Sequence, residues 1–283
     1  MVDRADSHIH LFDGGYRESF TKRSGVQIDE VACYQSLADS HNIRKVLVVT
    51  YAAHPWCANN NEFVARAAQS NPLFQPLVYV EPTESLTVET LEMFKARGFV
   101  GLSFYIKPKI SQSIEMVPRI PDEVWSWLVQ HRWLVSANSR KPELAVWPPV
   151  LERHADLRVV VCHLGLPTKV RRRPNDAEVR DALANVLTLA RFPATRVKVS
   201  GFYTMTDPGY NYPHRASWPY LEAILDAFGI DRMLWGSDFP PCLDSVSFPQ
   251  TLNLFQLMPF FTDADRKQLE GGNLLDLLDA VKR

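Results

Sequence analysis

Short apolar runs recur along the chain, each followed by a longer stretch in which apolar residues return every three or four positions. The runs fall at 5–11, 44–50, 74–80, 99–105, 133–138, 157–162, 195–201 and 232–236. Several are continuous rather than alternating, such as Val46-Leu47-Val48-Val49 and Val159-Val160-Val161. A strand that is apolar on both faces belongs in a parallel sheet covered by helices. The stretches between predict helices at 28–42, 61–70, 85–97, 121–132, 142–154, 176–191, 218–228 and 263–282. Pro219 stands near a helix start, Gly98 and Gly229 just past two helix ends, and Ser85 can cap the third helix. Eight such strand-then-helix units predict an α/β fold, a (β/α)8 TIM barrel with its active site at the C-terminal ends of the strands. A doubly wound open sheet would want a Gly-rich phosphate turn after an early strand, and the sequence has none.

Composition narrows the class. The chain has 283 residues and shows no linker, repeat or low-complexity tract, so 1–283 reads as a single barrel domain. With 46% hydrophobic and 22% charged residues it is neither a disordered chain nor a disulfide-stapled scaffold. Its net charge of −1 lacks the basic excess of a nucleic-acid binder. No apolar run approaches the roughly 20 residues of a membrane span, and the first residues carry charges where a signal peptide needs an apolar stretch. Cys33, Cys57, Cys162 and Cys242 are scattered, the pattern of reduced thiols in a cytoplasmic protein.

Under the barrel register, four polar groups fall at strand ends. His8 and His10 close the first strand, two apart and so on one side of it. His163 follows the sixth strand and Asp238 the eighth. His41, His131 and His154 fall in helices instead, where a surface or core role is the simpler reading. Two imidazoles and a carboxylate can hold a divalent metal, and a free Asp can activate water.

These residues carry a resemblance. His8-Ile9-His10 after Asp6, Cys162-His163-Leu164-Gly165, Val197-Lys198-Val199-Ser200-Gly201 and Gly236-Ser237-Asp238-Phe239-Pro240 are similar to motifs of the amidohydrolase superfamily, in its amidohydrolase-related (amidohydrolase 2) branch. The likeness runs from the first strand to Gly272-Asn273. Within the branch the chain most resembles the group of 2-pyrone-4,6-dicarboxylate and sugar-acid lactonases, also through Ala227-Phe228-Gly229 and Asp231-Arg232-Met233-Leu234. The resemblance implies a barrel that acts as a hydrolase or as a non-oxidative decarboxylase. Metal-bound members place a His at the end of the fifth strand, where this chain has Asn138, and Ser103 stands where a bridging Lys or Glu would be. A site with no required cofactor is therefore favoured over one divalent metal such as zinc, which would be held by His8, His10 and Asp238.

The loops add a second signal. Lys107 and Lys109 follow the fourth strand, Arg140 and Lys141 the fifth, and Lys169, Arg171, Arg172 and Arg173 the sixth. One face of a nearly neutral chain thus gathers cations suited to a carboxylate, with Arg171–Arg173 read equally as an exposed turn. Tyr51, His54, Trp56, Asn59 and Asn60 in the second loop, and Tyr203, Tyr210, Tyr212, His214 and Trp218 in the seventh, can wall a pocket. The resulting expectation is a lactonase for a small anionic lactone. Asp238 is the base; His8, His10 and His163 polarise the carbonyl. Tyr51, Ser103, Lys107, Asn138, Arg140 and Tyr203 contact the substrate, and Lys198 and Glu81 support them. A decarboxylase is the nearest alternative, and a catalytically silent barrel binding an anionic ligand or a protein partner is the other. The sequence leaves a homo-oligomer open.

Overall fold

Continuous β-branched runs need cover on both faces, and the chain supplies it by following each strand with a helical segment. The computed structural model describes residues 3–16, 27–83, 85–106 and 111–283, with only the backbone described at 111–113. Its strands are β1 Arg4–Ile9, β2 Ile43–Val49, β3 Phe74–Tyr79, β4 Gly101–Ile106, β5 Leu134–Ser139, β6 Arg158–Val161, β7 Arg196–Val199 and β8 Met233–Trp235. They form one parallel sheet in the order β1 to β8. The ends meet just beyond the regular strands: Asp238 N donates to His8 O at 2.9 Å and His10 N to Phe239 O at 2.7 Å. Eight parallel strands with interleaved helices make the expected (β/α)8 barrel. Val46 to Val49 and Val159 to Val161 are buried throughout, as two-sided cover requires.

The helices are α1 Glu30–His41, α2 Asn60–Ser70, α3 Val88–Ala96, α4 Ser111–Met116, α5 Asp122–His131, α6 Trp147–Arg153, α7 Asp176–Thr188, α8 Phe202–Met205, α9 Trp218–Phe228, α10 Phe248–Asn253, α11 Asp263–Lys267 and α12 Asn273–Asp279. Pro219 lies in the first turn of α9, and Gly98 and Gly229 take positive φ past α3 and α9. Thr87, not Ser85, caps α3 by accepting from Thr90 N. The helix expected over 263–282 is broken by a wider π-type turn at Gln268–Gly272. That turn packs closely on the start of β1: a Cβ on Gly271 would stand 2.5 Å from Asp3 O. No helix among the described residues is long and apolar enough to cross a membrane. The four cysteines are free.

Register fixes what the barrel interior contains. Ser103 is level with Ser136, and Tyr105 with Asn138, so these pairs share a face. Ser136 Oγ receives a 2.8 Å hydrogen bond from Lys198 Nζ across the barrel, which places that face inside.

Candidate active site

His8 lies on β1 and His10 just past it; His163 and Asp238 follow β6 and β8. The turns that present the last two are unusual. Asp238 has φ 61° and His163 φ 51°, in the left-handed region that non-glycine residues seldom occupy. Such backbone costs about 1–3 kcal/mol per residue and concentrates at functional sites. Asp6, beneath them, holds the seam: its Oδ1 accepts from His8 N at 3.0 Å and Ser237 N at 2.9 Å, and its Oδ2 from Tyr34 OH at 2.8 Å. Burial raises its pKa to about 6 against these hydrogen bonds.

The four groups converge. His8 Nε2 is 3.3 Å from His10 Nε2 and 3.6 Å from Asp238 Oδ1, and His10 Nε2 is 3.8 Å from the same oxygen. His163 Nε2 is 4.0 Å from Asp238 Oδ2, which also accepts a 2.6 Å hydrogen bond from Tyr203 OH. Each imidazole has an outer partner. His10 Nδ1 donates to Val49 O at 2.7 Å, His163 Nδ1 meets Ser200 Oγ at 2.8 Å, and His8 Nδ1 lies 3.3 Å from Lys198 Nζ. Burial holds all three imidazoles below their ordinary pKa, and His8 well below it, with Lys198 adding to the depression. The three imidazoles around Asp238 are therefore neutral at neutral pH. Gly201 is part of this packing, because a Cβ there would stand 2.8 Å from His163 Nδ1.

The donor atoms of His8, His10 and Asp238 all lie within 4.8 Å of one another. That spacing is close to a metal site, since bonds of about 2.0–2.1 Å in a tetrahedron give edges of roughly 3.3–3.4 Å. His10 also suits a metal, because its carbonyl partner leaves Nε2 bare. His8 does not: an amino group stands where a ligating imidazole needs an acceptor. The donor set fits a metal in spacing and disagrees with one in its outer partners.

The remaining expected contacts divide. Tyr51 is buried against Tyr105 and Tyr79, at centroid distances of 4.6 and 5.7 Å, with its hydroxyl 3.1 Å from His54 Nε2. Asn138 shares the inward face, half-buried and level with Tyr105. Ser103 lies one step deeper, fully buried, and its hydroxyl has no hydrogen-bond partner among the described residues. Arg140 is exposed past β5 and carries no ion pair among the described residues. Lys107 and Lys109 lie outside the described residues. Trp56, Asn59 and Asn60 line a cavity of about 590 Å³ beside the site, with Phe12 and Arg66. His214 turns inward to Thr206 Oγ1, and Tyr210 is exposed.

The basic loops are less free than their sequence suggests. Arg171 pairs with Asp207, Arg172 with Glu178 at 2.6 Å, Arg173 with Glu222 at 3.2 Å and Lys141 with Asp181 at 2.7 Å. Sequence reasoning also passed over Tyr79 and Tyr105. Tyr105 is half-buried near Asp238, and Tyr79 OH donates to Glu81. Alternation along β4 from Ser103 was the signal that could have found Tyr105.

Comparison with known proteins agrees with this architecture. The family described as Amidohydrolase matches residues 5–279, and the chain belongs to it. An L-fucono-1,5-lactonase of Burkholderia multivorans is 32% identical over 127 residues, which is 42% of this chain and 42% of that protein, so the match spans less than half of that curated relative. An amidohydrolase from Burkholderia multivorans with bound HEPES superposes with a TM-score of 0.80 at 19% identity, over 98% of this chain and 99% of that one. In another crystal form it holds zinc (TM-score 0.76, 18% identity, the same coverage). A probable 2-pyrone-4,6-dicarboxylic acid hydrolase from Acinetobacter baumannii with bound citric acid gives a TM-score of 0.70 at 19% identity, covering 98% and 99%.

Proposed function

We propose that the protein is a lactonase, acting as one barrel domain on a small lactone without a required metal. The observation that carries the reading is the buried carboxylate of Asp238 facing three imidazoles held neutral. A relative named a lactonase and a fold shared with a probable lactone hydrolase support the same reaction class.

Asp238 takes a proton from water as the oxygen attacks the ring carbonyl. His8 and His163 donate to the oxygen as it gains charge, and neutral imidazoles do so without a buried cation to neutralise. The tetrahedral intermediate expels the ring oxygen, which receives the proton from Asp238, leaving a hydroxy acid. His10 Nε2 faces the site as an acceptor and can hold the water's second hydrogen. Tyr203 fixes the rotamer of Asp238 through the oxygen that does not face His8. Phenols of Tyr51, Tyr79 and Tyr105 and the amide of Asn138 line the ring's approach. A substrate carboxylate would meet Arg140, the one cation of the expected contact set that lies among the described residues.

The test is a panel of carboxylated and neutral lactones, followed by product analysis. Ring-opened acid is the expected product, and Asp238→Asn should stay folded and lose about 10²–10⁴ in kcat. Carbon dioxide release would assign a decarboxylase. Normal turnover by the Asn variant would remove Asp238 from the chemistry.

A further inference from the structure

Lys198, on β7, has a completely buried side chain, and a lysine so placed is rare unless it is paired. Its Nζ makes no ion pair among the described residues. It donates to Ser136 Oγ at 2.8 Å and stands 3.3 Å from His8 Nδ1. The reaction proposed above gives it no part.

Burial lowers the pKa of Lys198 against the opposing pull of Cys162, Asp6 and Asp238; as an ammonium it has three donors and no acceptor, so toward His8 Nδ1 it donates. A neutral imidazole that accepts at Nδ1 carries its hydrogen on Nε2. We propose that Lys198 is a positioning residue that fixes His8 as the Nε2–H tautomer and so makes the His8–His10–Asp238 group a hydrogen-bonding site instead of a metal site. The two histidines of β1 then have opposite polarity. His10 donates backward to Val49 O and accepts at Nε2; His8 accepts backward from Lys198 and donates at Nε2. In the substrate-free site the 3.3 Å separation of the two Nε2 atoms is a hydrogen bond under this assignment, given up when the lactone and water take both partners, and a contact of two bare lone pairs without it. A metal would need both lone pairs to face inward. It would also have to sit across the His8 ring from a second cation.

The functional meaning of the donor rests on the lactonase reading, but the test needs no substrate, so the two can fail separately. In ¹⁵N NMR spectra of the wild-type protein at neutral pH, with His8 signals assigned by their loss in His8→Asn, His8 should be protonated at Nε2 and His10 at Nδ1. Zinc alone is then titrated against a chromophoric chelator. Lys198→Met should bind it at least about tenfold more tightly than wild type, because His8 is free to turn its lone pair inward. The gain should vanish in Lys198→Met/His8→Asn. A lysine that only filled space would leave zinc affinity unchanged or lower it. Protonation of wild-type His8 at Nδ1 overturns the assignment, as does a folded Lys198→Met that binds zinc no better than wild type. If Lys198→Met does not fold, the wild-type tautomer decides.

Discussion

Asp238 sits at a backbone angle that few side chains tolerate, and its neighbours hold it there. One carboxylate oxygen faces His8 and His10, and the other is occupied by Tyr203 OH and approached by His163. Under the proposed reaction the phenol decides which oxygen is left for water. A hydrogen bond to a charged group is worth about 1.5–3 kcal/mol, a factor of roughly ten to one hundred in rate when only the reacting geometry depends on it. Tyr203→Phe should lower kcat by that factor and leave KM within about twofold, measured as separate constants on the best lactone of the panel. An unchanged kcat would show that Asp238 keeps its orientation without the phenol.

At the scale of elements, the loop after β1 is tied down by the first residue of α1. Glu30 is buried and accepts from Phe12 N at 2.7 Å and Tyr16 N at 2.6 Å. Burial raises its pKa to about 7 against these two amides. An acid whose folded pKa is raised binds more protons when folded, so stability falls as pH rises through the window from about 4.5 to 7. Glu30→Gln does not titrate. Its stability relative to wild type should therefore improve with pH across that window, by about 1–3 kcal/mol, and level off above it. Urea unfolding of both proteins at pH 5 and pH 8 reads this directly, and a difference that does not change with pH would contradict it.

The same scale shows why some features were legible in the sequence and others were not. His8, His10, His163 and Asp238 were readable because each sits at the end of a strand whose apolar run is local. Tyr79 and Tyr105 were missed because an aromatic residue inside a strand looks the same whether it faces helices or the barrel mouth. The break at Gln268–Gly272 lies against the backbone of Asp3 and Arg4, a contact that no local pattern records. The carboxylates that meet Arg171 and Arg173 lie in other segments, so the basic cluster was visible and its partners were not.

Over the whole molecule, those partners separate cations that share one face. Exposed ion pairs contribute only about 0–1 kcal/mol to stability, but each partner cancels much of the field its cation would offer a substrate. Arg140, without such a pair among the described residues, should be the residue an anionic lactone depends on. Arg140→Met should raise KM for a carboxylated lactone about tenfold or more and barely affect a neutral one. Arg171→Ala, which removes a cation already paired to Asp207, should leave both KM values unchanged. Equal KM values for the two lactones in wild type, untouched by Arg140→Met, would mean that no carboxylate is read there.

The seam between β1 and β8 also puts the protein's birth in order. Asp6 and Ser237, joined by a hydrogen bond, are 231 positions apart. On a ribosome adding about 5–20 residues per second, the first strand waits on the order of ten to fifty seconds for the segment that completes it. During that interval the histidine pair has no Asp238 opposite it, and β1 presents an open edge to any passing strand. The centre of the molecule thus joins segments made far apart in time, and a nascent chain stopped short of β8 lacks the carboxylate of its site.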